Sequence, residues 1–475
     1  MLALTLGVAG VPPAVGLDRD DGSRDVADLY VAHFVATTAS GVAMNDRGEV
    51  AGTSRDDLGC GPFCLPPEDT VVWRNGKRIV LPTLPGYNDI YVRGMNNQGW
   101  VVGMAGFPYT QTRAVVWKPT GPSSDPTYQI IDLGLLPGTI RSEALGIDNL
   151  GRVVGWSTTN NLPPNGSPFL WTEAEGMVDL SAQGFPDETP LAISPGGWVA
   201  TASAWYRLDD PRSVSFLPPA PPGFGVGTYP TAINDAGDQA RFLVNTGPEN
   251  LVYLFRFHHE GTWQMVSTAG TGHLTTYGIG SINAARDVTA TIQSTGVIAA
   301  GPDGLATDLK DLLSPAYAGA DVTRGGPMNS KGQILAQVMI GRSTRLMKLN
   351  PATPCVSNCT IVSEVPMQGK FVEDPKDPDH CAPDLEAYNR VRARVVVTDE
   401  AGDPLEGVEV QGRFLDDYWM DKAVSGTTDS AGIATFDNKG PCGVGAVAFL
   451  VDRARVQSRV FDRTRGIVTN FVIPQ

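Results

Sequence analysis

The sequence predicts an all-β chain: a seven-bladed β-propeller closed by its N-terminal strand, followed by a small β-sandwich. Three observations carry this prediction. The tract AMNDRGEVAGTS from Ala43 returns six times, as GMNNQGWVVGMA from Gly94, GIDNLGRVVGWS from Gly146, AISPGGWVATAS from Ala192, AINDAGDQARFL from Ala232, SINAARDVTATI from Ser281 and PMNSKGQILAQV from Pro327. A second recurring segment, built around Trp73, Trp117 and Trp171, lies between the first copies. The two ends of the repeat array are also complementary, because the last copy lacks a fourth strand and a spare strand precedes the first.

Each tract reads as a β-hairpin. The turn positions Asn45, Asn96, Asp148, Ser194, Asn234, Asn283 and Asn329 recur about every 47 residues, within the range of propeller repeats. An Asn or Asp side chain can accept from its own downstream backbone. Gly48, Gly99, Gly151, Gly197, Gly237 and Gly332 then suit a positive φ where the chain re-enters a strand. The sixth copy has Arg286 at this place. Left-handed geometry costs a non-glycine residue about 1 kcal/mol, so that hairpin is expected to be the most strained or to use a different turn. In the Trp-centred segment a β-branched or aromatic run ends at the indole, a polar turn follows, and a further strand carries IIDLG from Ile130 or MVDLS from Met177. Two hairpins per period make four strands, the content of a propeller blade. Asp28–Leu29 stands before the first turn much as Asp132–Leu133 stands before the third, while the seventh copy stops at STRLMKLNP, Ser343–Pro351. The N-terminal segment is therefore expected to pair with Ser343–Pro351 and cover an otherwise open edge.

These units resemble the extracellular HAF repeats of bacterial proteins, which combine an N-x-x-G-x-V-V-G hairpin with an A-F-x-W strand. The resemblance covers Asp28–Pro351 and implies a scaffold, with no particular chemistry attached. The His that names the family is absent, and Thr70, Arg113 and Ser167 stand near its place.

The repeat ends at Pro351, and a Cys- and Pro-rich segment, 352–383, reads as a linker. In the next unit Val391, Ala393, Val395 and Val397 share one strand face, with Arg392 and Arg394 opposite. Turn signals at Gly402–Asp403, Ser430–Gly432 and Gly440–Pro441 separate short strands, the pattern of a small sandwich. Through VTDEAGDPLEGVEV and TTDSAGIATF, residues 384–475 resemble bacterial immunoglobulin-like (Ig-like) domains, which implies a spacer or accessory module. The domain organisation expected is a signal-like segment over 1–16, the propeller over 25–351, the linker over 352–383 and the sandwich over 384–475.

With 475 residues, 42% hydrophobic and 18% charged, the chain has the composition of a globular protein of two or three domains. Its 54 glycines and 37 prolines suit many short strands joined by turns. A formal charge of −15 opposes binding of nucleic acid through a general positive field. The six cysteines are expected to form disulfides, locally within Cys60/Cys64 and Cys355/Cys359 and between Cys381 and Cys442 as a staple of the C-terminal domain. The apolar run Leu2–Val11 resembles a secretory signal without its basic start and is too short to span a bilayer. A secreted or cell-surface monomer is the expectation, with no membrane span.

No G-x-S-x-G elbow, H-E-x-x-H pair or P-loop is present. The loop between the two hairpins of a blade and the loop between successive blades fall at one end of the array. That end collects the variable segments, among them 138–142 and 158–167. Candidate ligand-binding residues there are Asp56, Asp57, Asp89 and Asp209 with Tyr87, Tyr109, Trp205 and Tyr206, carboxylates and aromatic planes suited to a sugar. No resident cofactor is expected; weak Ca²⁺ binding to carboxylates is compatible with this set. The expected function is recognition of a glycan or an extracellular protein. The alternative is a carbohydrate-active enzyme, glycoside hydrolase or lyase, using two loop carboxylates.

Overall fold

The computed structural model describes residues 29–36, 39–55, 68–107, 111–122, 126–159, 166–246, 252–268, 277–300, 304–370, 388–416, 421–444 and 446–472. The fold is all-β: small antiparallel sheets succeed one another along the chain, and three short 3-10 turns are the only helical segments among the described residues. The first sheet takes Ala39–Met44, Val50–Arg55, Glu68–Arg74 and Lys77–Val80 in that order. The second (Ile90–Asp132), third (Arg141–Asp179), fourth (Ala192–Phe216) and fifth (Phe224–Met265) repeat the four-stranded pattern. The sixth, Tyr277–Asp308, gains a fifth strand because Ser267–Thr268 pairs in parallel with Leu305–Asp308. The seventh joins Ala320–Met328, Ile334–Ile340 and Ser343–Pro351 to Tyr30–Ala36, which runs antiparallel to Ser343–Pro351 with Tyr30 opposite Pro351.

The turn residues do more than close hairpins. Asn45 Oδ1 accepts from the Arg47 and Glu49 amides at 3.0 and 3.1 Å, as the sequence suggests, while its Nδ2 donates to the Asn96 carbonyl of the next sheet at 3.1 Å. The same outward bond joins Asn96 to Asp148 at 3.0 Å, Asn234 to Asn283 at 2.8 Å and Asn329 back to Asn45 at 3.0 Å. Asp148 has no amide donor; its Oδ2 instead accepts from Arg152 at 2.6 Å, and the Asn149 amide makes the link to the fourth sheet through the Pro195 carbonyl, 2.8 Å. The glycine ending the V-x-G run has a separate cause. The opposing first strand carries a bulge at Val42, Arg93 or Leu145 in the first three sheets. A Cβ on Gly52, Gly103 or Gly155 would collide with the carbonyl oxygen of Ser40, Tyr91 or Glu143 across that bulge. Bulges re-aim side chains, and Arg93 uses its own to reach Glu143 of the third sheet at 2.7 Å.

Apolar layers fill the spaces between sheets. Val102, Ala114 and Val116 of the second meet Ala144, Val153 and Phe169 of the third, and Val154 and Leu170 meet Val199 and Tyr206 of the fourth.

The C-terminal unit consists of two sheets around an apolar layer in which Val391, Ala393, Val395 and Val397 face Val410, Phe414 and Phe449. Its start differs from the sequence expectation. Cys359–Glu364 and Met367–Lys370, assigned above to a linker over 352–383, both pair with Tyr388–Thr398, so this unit begins before residue 384. Short strands interrupted by prolines and a disulfide lack the long alternation that marks a strand in sequence. Nor is the unit a free spacer. Its core is continuous with that of the seventh sheet, and Arg345, wholly buried, donates to Asp421 at 2.8 Å and to the Asp416 carbonyl at 2.9 Å. Arg413 lies 3.7 Å from the ring centre of Phe34, and Arg463 donates to His33 Nδ1 at 2.9 Å. Burial, with the positive charges of Arg463 and Lys348, lowers the His33 pKa to about 3 and keeps the imidazole neutral as an acceptor.

Candidate functional site

A cavity of about 520 Å³ opens between the third and fourth sheets. Four connecting segments build it: Thr139 before the third sheet, Ser157–Thr159 and Gly166–Ser167 inside it, Asp187–Leu191 between the sheets, and Ala202 in the fourth. These are the classes of loop that the hairpin order brings to one end, and two of them fall in the variable segments 138–142 and 158–167. The lining is about equally polar and apolar: Thr139, Ser157, Thr158, Thr159, Ser167 and Thr189 bring hydroxyls and Asp187 and Glu188 carboxylates, while Leu191, Ala202 and the side-chain carbons bring apolar surface.

Internal hydrogen bonds hold the wall. Ser157 Oγ donates to the Arg141 carbonyl at 2.9 Å, Thr139 Oγ1 donates to the Leu136 carbonyl at 2.7 Å, and the two hydroxyls lie 2.6 Å apart. Glu188 is fixed through both oxygens: Oε2 accepts from Thr201 Oγ1 at 2.6 Å and the Ser203 amide at 3.0 Å, while Oε1 takes the Ser203 hydroxyl. Burial alone would raise the Glu188 pKa. The hydrogen bonds from Ser203 and Thr201, with the Arg241 charge, outweigh it and hold the carboxyl below its ordinary range. Arg241 sits beneath, donating to the Thr201 and Ala202 carbonyls at 2.6 and 3.2 Å, and burial lowers its pKa to about 10.

None of the eight candidate ligand-binding residues lines this cavity. Asp56, Asp57 and Tyr109 lie outside the described residues. Tyr87 is half-buried beside Gly106, whose amide donates to the carbonyl of the exposed Asp89 at 2.8 Å, so these two do meet at one loop crossing. Trp205 and Tyr206 correct the loop reading. They belong to the strand Ala204–Arg207 and are buried, Trp205 edge-on to Phe257 at 5.0 Å and Tyr206 4.8 Å from Phe185. Their rings serve packing between sheets, and adjacent aromatic residues in a strand can be buried on both faces only when a sheet covers each side. Asp209 is exposed and pairs with Arg207 at 3.1 Å. The hydroxyl set and Glu188 were missed because Ser and Thr in loops carry no sequence signal distinct from turn formation.

Cys355 and Cys359 form a disulfide. Cys60, Cys64, Cys381 and the side chain of Cys442 lie outside the described residues.

The Arg286 hairpin keeps the common turn with φ at 68°, and its guanidinium compensates the strain. It pairs with Asp238 at 3.0 Å and Glu260 at 2.7 Å and donates to His258 Nδ1 at 2.8 Å. Asp238, His259 and Glu260 lie close enough to share a cation, and Arg286 supplies that positive charge itself. Arg286→Gly is expected to relieve about 1 kcal/mol of backbone strain yet lower stability by about 1–3 kcal/mol net, because Asp238 is buried and loses a charged partner. A higher melting temperature in that variant would show strain to dominate.

No family model matches this chain, and no curated protein does. Among solved structures it is similar to a fungal alcohol oxidase of the AA5 family in complex with copper, at 10% identity over 94% of this chain and 99% of that one, with a TM-score of 0.39. It is also similar to puromycin hydrolase, at 11% identity over 78% of this chain and 61% of that one, TM-score 0.36. A third is the GH43 protein BlXynB of Bacillus licheniformis, at 12% identity over 92% and 89%, TM-score 0.24. At these scores the likenesses assign neither an activity nor a ligand to this chain.

Proposed function

We propose that this protein is a secreted or cell-surface recognition protein that binds glycan in the cavity between its third and fourth sheets. In this reading the seven sheets are the blades of a closed propeller of HAF-type repeats, and the C-terminal unit is an Ig-like accessory module. Support for closure comes from the pairing of Tyr30–Ala36 with Ser343–Pro351 and from the Asn329 bond back to Asn45.

The lining chemistry carries the glycan reading. A hydroxyl that donates within the wall, as those of Ser157 and Thr139 do, keeps acceptor capacity, so a concavity lined by hydroxyl-bearing side chains complements the donor edges of a sugar. The carboxylate of Glu188, locked in place by Thr201 and Ser203, adds a strong fixed acceptor. A glycosidase's general acid needs a raised pKa, and Glu188, held below its ordinary range, does not fit that role.

A glycan array probed with and without Ca²⁺ tests the reading. Thr159 is exposed at the cavity mouth, and Thr159→Trp is expected to weaken the array signal at least about tenfold while the unfolding transition stays in place. Binding to no glycan class, or full signal in the variant, would overturn it.

A further inference from the structure

The outer face of the C-terminal unit carries a concentration of positive charge that the overall composition conceals. In the strand Tyr388–Thr398 the inward residues Val391, Ala393, Val395 and Val397 are buried, and Arg390, Arg392 and Arg394 point the other way and are exposed. Residues two apart on a strand recur about every 6.8 Å, so the three guanidinium stems form a row. Pairing register extends the row sideways. Lys370 stands opposite Arg390 on one neighbouring strand, and Lys439 stands opposite it on the other. Neighbouring strands are about 4.8 Å apart, which brings five cations onto one three-stranded face.

Among the described residues one carboxylate lies among them. Asp437 accepts from Arg392 Nε at 2.8 Å and Nη2 at 3.0 Å. Its pKa is lowered first by those bonds and further by the charges of Arg390 and Lys370, so the cations act on the same small region. Glu364 bounds the far end of the face, opposite Val396. Lys370, Arg390, Arg394 and Lys439 have no salt bridge among the described residues.

We propose that this face binds an acidic polysaccharide, a linear glycan bearing carboxylates or sulfates. Guanidinium groups pair with both anions in two-point geometry, and a row of them on a flat sheet matches a chain with an anion at each repeat. The net charge of −15 acts against this only at a distance, since physiological salt screens charges beyond about 8 Å. The same net charge disfavours an extended anionic surface such as a membrane or a duplex, which would approach many acidic groups at once. Single-stranded nucleic acid needs aromatic platforms for its bases, and among the described side chains those opposite Arg392 and Arg394 are Gln368, Asp437 and Thr435. The proposal is independent of the cavity between the third and fourth sheets, which lies in another part of the fold.

The test uses the full chain, with heparin as the sulfated probe, polygalacturonate as the carboxylate probe and dextran as the neutral one. Phosphatidylserine vesicles and single-stranded DNA are the competing polyanions. The wild type is expected to bind heparin, polygalacturonate or both, to elute with salt, and to ignore dextran. Arg390→Ala with Arg394→Ala, both exposed, is expected to weaken that binding roughly tenfold or more without moving the unfolding transition or the array signal assigned to the cavity. Thr159→Trp should leave polyanion binding unchanged. The proposal fails if neither polysaccharide binds, if the double variant binds as tightly as the wild type, or if vesicles or DNA bind more tightly than both polysaccharides.

Discussion

Replacing Arg345 by alanine is expected to lower the stability of the whole chain by about 3–5 kcal/mol, the usual cost of leaving one member of a buried ion pair unpaired. Arg345 belongs to the seventh sheet and Asp421 to the C-terminal unit, and their side chains are 0% and 7% exposed. The guanidinium also caps the Asp416 carbonyl at 2.9 Å, and the neighbouring Ser343 hydroxyl donates to the same carbonyl at 2.8 Å. Removal therefore takes the guanidinium partner from a buried carboxylate and one of the donors from the Asp416 carbonyl. Equilibrium unfolding in urea gives the cost directly. A loss below about 1 kcal/mol, the value of a surface pair, would mean that the two units are held by their shared apolar core alone. Arg345→Met combined with Asp421→Leu separates the contributions, because replacing both partners of such a pair by apolar residues is often neutral.

Deleting the chain through Ala36 should have a larger effect. That deletion removes the strand Tyr30–Ala36, whose Tyr30, Val31, Ala32 and Ala36 are buried, and uncovers the edge Ser343–Pro351. Burial of Tyr30 and Val31 alone contributes about 3–6 kcal/mol, a large share of the 5–15 kcal/mol that typically holds a domain together. The damage extends further, since the Tyr317 hydroxyl donates to the Ala32 carbonyl at 2.6 Å, and His33 and Phe34 receive Arg463 and Arg413 from the C-terminal unit. The expected result is loss of the cooperative transition and association through the exposed edge, read by calorimetry and by light scattering. An unchanged melting temperature in a monomeric truncated protein would remove the support for ring closure.

The seven hairpins were legible because turn chemistry is local. An Asn, Asp or Ser followed three residues on by a glycine, as in every copy but the sixth, specifies the same backbone between β-prone runs wherever it occurs. The second role of these Asn residues was not legible. Whether Asn45 Nδ2 meets a carbonyl at Asn96 depends on how two sheets stand side by side, and the position reads the same either way in sequence. The sequence pattern singled out Arg286 as a departure, and only the placement of Asp238 and Glu260 around it explains why that turn is retained. Of the candidate site, the loop classes were legible and the residues were not. In sequence Trp205 and Tyr206 read as aromatics beside a polar turn, but both rings are buried between sheets.

The sequence by itself determined that the chain is all-β, where its hairpins lie and which face of the strand from Tyr388 to Thr398 is apolar, because these follow from turns and alternation within a dozen residues. Tertiary structure alone decided that Glu188 and six hydroxyls line one cavity, that Arg345 meets Asp421 across 76 residues of chain, and that the C-terminal unit shares a core with the seventh sheet. Such contacts join side chains whose separation along the chain bears no relation to their distance in space, so no local pattern encodes them.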